Sequence, residues 1–260
     1  MAHPQRVEHQ SYALIAWLLY CLGVNLIMFE PEETLRPLPR SDVRARHVLE
    51  VLRRQEGDSF DVGLIDGPRG KATVESVSAV AVHLRFDWGE PPPPLEPITV
   101  LIGLPRPQTA RKVLEEATAL GVQAMHFVAT DRGDPGYAGS RLWRSGEWRR
   151  HLIAGAEQAF STWLPGVTWG RPLADALADL DASGTRLVLD NYESPDALGA
   201  VEVVEPVTLA IGPERGWSEG ERVRLRGAGF RFVHLGERVL RVETACVAAV
   251  VLVRARLGRM

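Results

Sequence analysis

Cysteine is nearly missing from this sequence: Cys21 and Cys246 are the only two in 260 residues, and they stand at no metal-ligand spacing. A disulfide framework and a cysteine-held zinc site are therefore unsupported, no metal is expected, and a reducing compartment, the cytoplasm, is the natural setting. Lysine is scarce as well, at Lys71 and Lys112 alone, so nearly every cation is arginine. Arginine suits bidentate contacts to phosphates and bases, although genome composition accounts for the bias more simply. No charge of one sign dominates. The formal net charge is -3, so the chain-average field is weak and any nucleic-acid contact must come from local basic patches. Long apolar runs are lacking too. Tyr12 to Val24 is the best candidate, but it falls short of the roughly 20 residues of a membrane span. As a signal peptide it has Arg6 offset by Glu8 and no small-x-small cleavage site after it. Residues 1–24 are read instead as an N-terminal extension, either added by a start codon placed too early or native as a helix docked on the protein, and no membrane partner is expected. Internal repeats are absent, as are the phosphate-cradling Gly-x-Gly-x-x-Gly and Walker lysine patterns.

What is present is ordinary for a globular chain: 45% apolar and 24% charged residues, with length for two cores. Asn25 to Pro31 reads as a first strand. Ser41 to Arg54 has helical periodicity, with Ser41 or Asp42 as N-cap. Phe60 to Ile65, Gly70 to Val77 and Ala79 to Phe86 read as strands, with Asp66-Gly67-Pro68 as a hairpin-type connection. Residues 25–90 thus form a small β-rich unit carrying one helix. The four prolines Pro91 to Pro94 open a stiff linker over residues 91–96.

From residue 97 to 260 the pattern alternates. Strands are expected at Ile98 to Gly103, Ala124 to Ala129, Arg186 to Asp190, Val207 to Ile211 and Arg231 to Leu235. Helices are expected at Pro107 to Leu120, Glu147 to Thr162, Pro172 to Leu180, Ser218 to Ala228 and Val242 to Leu257. Such alternation argues for an α/β fold with a mostly parallel sheet. Ligands of such sheets sit at the carboxyl ends of strands. Two loops stand there: Gly212-Pro213-Glu214-Arg215-Gly216-Trp217 and Gly236-Glu237-Arg238-Val239-Leu240-Arg241. Their glycines permit positive φ and close backbone approach. A neutral nucleoside with a cationic sulfonium would suit them better than an anion. Taken alone, glycine after a strand serves a plain turn as readily.

The order of the residues says more. Ile211-Gly-Pro-Glu-Arg-Gly-Trp-Ser-x-x-Glu221, then Ala228-Gly229-Phe230, then Leu235-Gly-x-Arg-Val-Leu-Arg-x-Glu-Thr-Ala245 closely resembles the RsmE family. That family comprises the ribosomal RNA small subunit methyltransferases E of the SPOUT superfamily. The match runs over Leu209 to Val250. It continues upstream in Arg46-His47-Val48-Leu49-Glu50-Val51-Leu52-Arg53 before Gly57-Asp58, in Leu104-Pro105-Arg106, in Ala117 to Val122 and in Ala156-Glu157-Gln158. The resemblance implies a PUA-like RNA-binding β-barrel followed by a trefoil-knotted SPOUT domain, an exception to the unknotted-chain rule. It further implies a homodimer, S-adenosylmethionine as cofactor, and N3-methylation of a uridine in ribosomal RNA or the small ribosomal subunit. Two positions depart: Arg215 stands where the family has glycine, and Ser161 where it commonly has arginine. These departures keep open a different RNA target or another substrate; a non-catalytic RNA-binding protein that kept the fold is a separate alternative.

By the same resemblance the cofactor would be held by Leu189, Ile211, Gly212, Pro213, Gly216, Leu235, Gly236, Val239, Leu240 and Thr244. Arg241 is the candidate for stabilising charge that develops on the uracil oxygens, and Glu243 or Glu214 for accepting the N3 proton or positioning the base. An acid in the first turn of a helix also favours the helix dipole, so structure accounts for Glu243 as well, and a structural role is the favoured reading for both glutamates. For RNA, the candidates are Arg36, Arg44, Arg46, His47 and Arg53, beside Arg40 and Arg54, together with Arg106 and Lys112. A second group, Arg141, Arg144, Arg149 and Arg150, surrounds Trp143 and Trp148. Phosphate neutralisation with aromatic stacking is one reading; a solvated helix face is the other.

Overall fold

The computed structural model describes residues 26–180 and 183–260. The extension assigned to residues 1–24, and Asn25 at the head of the first expected strand, lie outside the described residues.

The chain divides into two compact units. The first runs to Pro93 and also takes in Glu157–Trp163, a segment that the sequence groups with the second. Hydrogen bonds explain the transfer. Glu157 Oε1 accepts the Met28 N–H at 3.0 Å, Thr162 Oγ1 donates to the Gly67 carbonyl at 2.5 Å, and Trp163 Nε1 donates to the Pro92 carbonyl at 3.1 Å.

Among the described residues, the five strands of this unit are β1 (Ile27–Phe29), β2 (Leu38–Pro39), β3 (Ser59–Leu64), β4 (Arg69–Val77) and β5 (Ala81–Trp88). Their order is β1-β3-β4-β5-β2. β1 pairs with β3 in parallel, and the other pairs are antiparallel. Alternate residues Phe60 and Val62, Ala72 and Val74, and Val82 point into one core with Phe29 and Leu38, as period-2 patterning requires. The expected barrel is an open half-barrel, because β1 and β2 stand at its two edges. A bulge between Val74 and Ser76 adds twist. The expected single helix is shorter than the periodicity suggests. Asp42 caps α1 (Val43–Arg46) by accepting the Arg44 N–H, and the chain continues as a π-helical turn over His47–Val51. Arg53 then adopts a φ of +53° and ends it.

Among its described residues the second unit carries seven strands: β6 (Glu96–Gly103), β7 (Val122–Ala129), β8 (Gly166–Pro172), β9 (Thr185–Leu189), β10 (Asp196–Ala197), β11 (Val207–Ile211) and β12 (Arg231–His234). They run β10-β12-β9-β11-β6-β7-β8, parallel throughout. Between them come α2 (Pro107–Ala119), α3 (Arg141–Arg144), α4 (Glu147–Gln158), α5 (Leu173–Ala178), α6 (Glu219–Gly227) and α7 (Val242–Arg256). Both faces of the sheet are covered, as parallel sheets demand. Ile98, Val100 and Ile102 of β6 face α2 and α7 through Val113, Leu114, Cys246, Ala249 and Val250. Leu101 faces the other way, with Val188 and Ala210, onto Trp217 and Leu225. β8 is a strand that the pattern does not announce. Its residues GVTWGRP form no apolar run, and only pairing with β7 at the sheet edge defines it. Among the described residues no helix is long and apolar enough to cross a membrane.

Candidate active site

β12, β9 and β11 are neighbours in the sheet, so the loops that follow them leave side by side at their carboxyl ends. Together with the starts of α2 and α7 they enclose a cavity of about 790 Å³, within the range of roughly 300–1,000 Å³ that small-molecule sites occupy.

The loop after β11 is a turn drawn tight by glycine. The Gly216 N–H donates to the Pro213 carbonyl at 2.8 Å, and Gly216 has a φ of +66°. Pro213 seats on Gly103 at the end of β6, where a Cβ would lie 2.4 Å from Pro213 Cδ. Trp217, 1% exposed, pins the loop to the core. Ser218 then opens α6 with the capping box that its spacing from Glu221 foretells. Glu221 also accepts the Asp131 N–H at 2.7 Å. Glu214 reaches across to the start of α2, where Oε1 accepts the Arg106 N–H at 3.1 Å and the Thr109 hydroxyl at 3.3 Å. Its carboxylate completes a helix N-terminus that has no capping side chain of its own.

The loop after β12 turns at Gly236, whose φ is +100° and whose N–H donates to His234 Nδ1 at 3.0 Å. That bond leaves the neutral ring's proton on Nε2. Arg241 precedes α7, is exposed, and lines the cavity. Its side chain makes no hydrogen bond or ion pair among the described residues. Glu243, in the first turn of α7, pairs with Lys112 Nζ at 3.1 Å. Burial works against its ionisation, but its own backbone N–H, Lys112 and Arg241 outweigh it and hold the carboxyl below 4.5. Cys246 one turn further on is buried, which pushes its thiol up to about 12 and leaves it inert as a nucleophile.

The third loop, after β9, is the part that the sequence reading passes over. Asp190 is buried at its base. Oδ1 accepts the N–H groups of Tyr192 and Glu193 at 2.8 and 2.9 Å, and Oδ2 accepts from Arg222 Nε of α6 at 2.8 Å. Asn191 and Tyr192 project from it and line the cavity.

Of the cofactor candidates, Leu189, Ile211, Gly212, Pro213, Gly216, Leu235, Val239 and Leu240 line this cavity, as do Glu214, Arg241 and Glu243. Gly236 shapes the turn behind it. Thr244 is exposed on α7 while its neighbour Ala245 lines the wall. Arg106 and Lys112 also line it, tethered to Glu214 and Glu243. Gln108, Thr109, Asn191, Tyr192, His234 and Arg238 join them, unannounced by any motif. The third parallel strand's carboxyl end was the signal that could have found the Asn191–Tyr192 loop. Among the described residues no group of three or more His, Cys, Asp or Glu could hold a metal ion.

The remaining RNA candidates lie in the first unit. Arg36 and Arg53 are exposed. Arg44 is engaged internally: it holds Glu33 through two bonds of 2.7 Å, pairs with Asp42 at 2.8 Å, and lies 4.8 Å from the Phe29 ring centroid. Arg46 Nε and His47 Nδ1 are buried without a hydrogen-bond partner, and burial lowers the His47 pKa, keeping the ring neutral. In the second arginine group the aromatic partners are not free surfaces. Trp143 is 2% exposed and stacks on Trp169 at 5.2 Å, and Trp148 packs on the same ring at 5.5 Å. Trp143 is core, which removes it as a stacking surface, while Trp148 is half-buried against it.

Residues 91–254 match the model of an RNA methyltransferase domain. The chain is 33% identical over 244 residues to the ribosomal RNA small subunit methyltransferase E of Treponema pallidum, covering 89% of this chain and 91% of that protein. It is 26% identical over 239 residues to the ribosomal RNA small subunit methyltransferase E 1 of Borreliella burgdorferi, covering 91% of this chain and 100% of that one. The crystal structure of a ribosomal RNA small subunit methyltransferase E from Neisseria gonorrhoeae bound to S-adenosyl methionine shares its fold at a TM-score of 0.71 and 25% identity, over 88% of this chain and 97% of that chain.

Proposed function

The chain belongs to the ribosomal RNA small subunit methyltransferase E family, and from that premise we propose that it methylates N3 of a uridine in small-subunit ribosomal RNA with S-adenosylmethionine as donor. The observation that carries this reading is the convergence of three loops from neighbouring parallel strands on one cavity. The residues present fit the cofactor. Gly216, on the cavity wall, takes positive φ with open space where a Cβ would stand, so backbone can approach a nucleoside closely there. Leu189, Ile211, Leu235 and Leu240 supply apolar wall. When bound, the cofactor supplies an electrophilic methyl group on a cationic sulfur.

The chain's own residues do the rest. Arg241 offers an unpaired guanidinium at the cavity wall for negative charge that develops on the uracil oxygens as N3 loses its proton. Glu243 is held ionised beside Lys112, and Glu214 is held by Arg106 and Thr109. These bonds make both glutamates positioning residues: one fixes the start of α7 against α2, the other fixes the loop after β11 to α2. Exposed Arg36 and Arg53 are assigned to phosphate contact, and a salt titration of RNA affinity checks this, since a flat response would remove them. A homodimer in the cytoplasm completes the reading; light scattering in solution tests the assembly.

The deciding assay is transfer of labelled methyl from S-adenosylmethionine to small ribosomal subunits that lack the modification, followed by mass mapping of the product. Label at uridine N3 is expected. Cofactor binding by calorimetry without transfer to any RNA would leave a non-catalytic RNA-binding protein, and label at another nucleotide would move the target. Loss of a preorganised charge-stabilising donor costs about 10²–10³ in kcat, so Arg241→Ala is expected to lose that much with cofactor affinity kept. Undiminished turnover would take Arg241 out of the mechanism.

A further inference from the structure

Tyr192 lines the cavity, and folding leaves its aromatic side chain almost untouched. It is 81% exposed, yet its backbone is fixed: its N–H and that of Glu193 both end on Asp190 Oδ1. Beneath the ring sits a guanidinium. Arg222 Cζ lies 5.4 Å from the ring centroid, and Arg222 is itself 7% exposed, held by the buried Asp190 carboxylate. A buried cation against an aromatic ring attracts its electron-rich face and favours a fixed position over a mobile one. Most of the residue's surface stays open, at the rim of the cavity that Tyr192 lines.

Rings of this kind bind nucleobases, because every base presents a π-face. Two bases come near this cavity, the adenine of the cofactor and the target base of the RNA. The placement favours the second. The apolar walls Leu189, Ile211 and Leu235 are buried or half-buried at the strand ends, whereas Tyr192 is exposed together with Arg215, Arg238 and Arg241. Those three arginines form no side-chain hydrogen bond or ion pair among the described residues, which suits an incoming phosphate-bearing chain. A target uridine must leave its stack to be methylated, and a ring held in place replaces part of the stacking that it loses.

Resting on the family reading above, we propose that Tyr192 is the stacking platform for the target base, and that Asp190 and Arg222 are positioning residues that hold it. The experiment compares wild type, Tyr192→Ala and Tyr192→Phe, with cofactor affinity measured by calorimetry and initial methylation rates measured against the concentration of unmodified small subunits. Stacking is worth a tenfold or larger effect per base, on the order of 10–100-fold. Tyr192→Ala is expected to lose about that much in kcat/KM for the subunit, through KM, with cofactor Kd unchanged; Tyr192→Phe is expected to restore it. Equal melting temperatures for the three proteins exclude a folding defect. A fall in cofactor affinity with an unchanged KM for the subunit would assign the ring to the adenine and overturn the proposal. So would an alanine variant as active as wild type. Wild type that methylates no subunit would overturn the family reading itself, and this proposal with it.

Discussion

Replacing Arg222 by methionine tests whether the third loop is held by one buried ion pair. The Arg222 and Asp190 side chains are 9% and 2% exposed, and Nε meets Oδ2 at 2.8 Å. Removing one member of such a pair strands the other charge out of water, at a cost of about 3–5 kcal/mol. Asp190 retains two backbone donors after the change, which places the expectation at the low end, about 3 kcal/mol. Methionine keeps much of the side-chain volume, so a new cavity adds little. A domain of this size loses about 2–4 °C of Tm per kcal/mol, so a fall of about 6–12 °C is expected. Urea unfolding of Arg222→Met, Asp190→Asn and the double variant would give the coupling directly. The double variant should lose less than the sum of the singles by about 1–3 kcal/mol, because the second change removes a charge that the first left unpaired. Single-variant losses under about 1 kcal/mol, or strict additivity, would refute the argument that this pair holds the loop.

Two further outcomes follow from other parts of the structure. Burial raises the Glu157 carboxyl to about 7 against an ordinary 4.5, although the Met28 N–H and Arg44 oppose it. The folded protein then prefers the protonated acid, so this group stabilises most below about pH 4.5 and loses its contribution as pH rises through 7. Glu157→Gln, which keeps an acceptor for the Met28 N–H, is expected to match wild type near pH 4 and exceed it by about 3 kcal/mol near pH 8; urea midpoints that differ equally at both pH values would contradict this. Gly103→Ala places a methyl 2.4 Å from Pro213 Cδ and 2.7 Å from its nitrogen, so the loop after β11 must shift. A loss in cofactor affinity of about tenfold or more, seen by calorimetry, is expected from a displacement on the order of 1 Å; unchanged affinity would separate this loop from the cofactor.

Much of the site was legible because its residues are contiguous. Gly212 to Trp217 and Gly236 to Arg241 each follow a strand directly, and strand ends in a parallel sheet mark the ligand side. Asp190, Asn191 and Tyr192 follow a strand too, but they carry no glycine and no motif, and their role appears only when β9 is seated between β12 and β11. Arginine groups misled in the opposite direction. Arg44 has the composition of an RNA contact, yet Glu33 and Asp42 hold it within the unit; Trp143 stands among four arginines and is core. Charge and aromaticity are visible in a sequence, but exposure is not.

Local chemistry determined most of the strands and helices, β8 apart, with the Asp42 and Ser218 caps and the glycine-bearing turns, since each depends on residues within a few positions of one another. The family followed from the order of residues along Leu209 to Val250. Tertiary structure decided which strands are neighbours, and with them which loops share a cavity, where Glu157–Trp163 belongs, and which polar groups are paired. Those outcomes depend on contacts between residues far apart in the chain, such as Asp190 with Arg222 or Met28 with Glu157. Hydrophobic burial drives such contacts together without regard to sequence distance, so no local pattern records them.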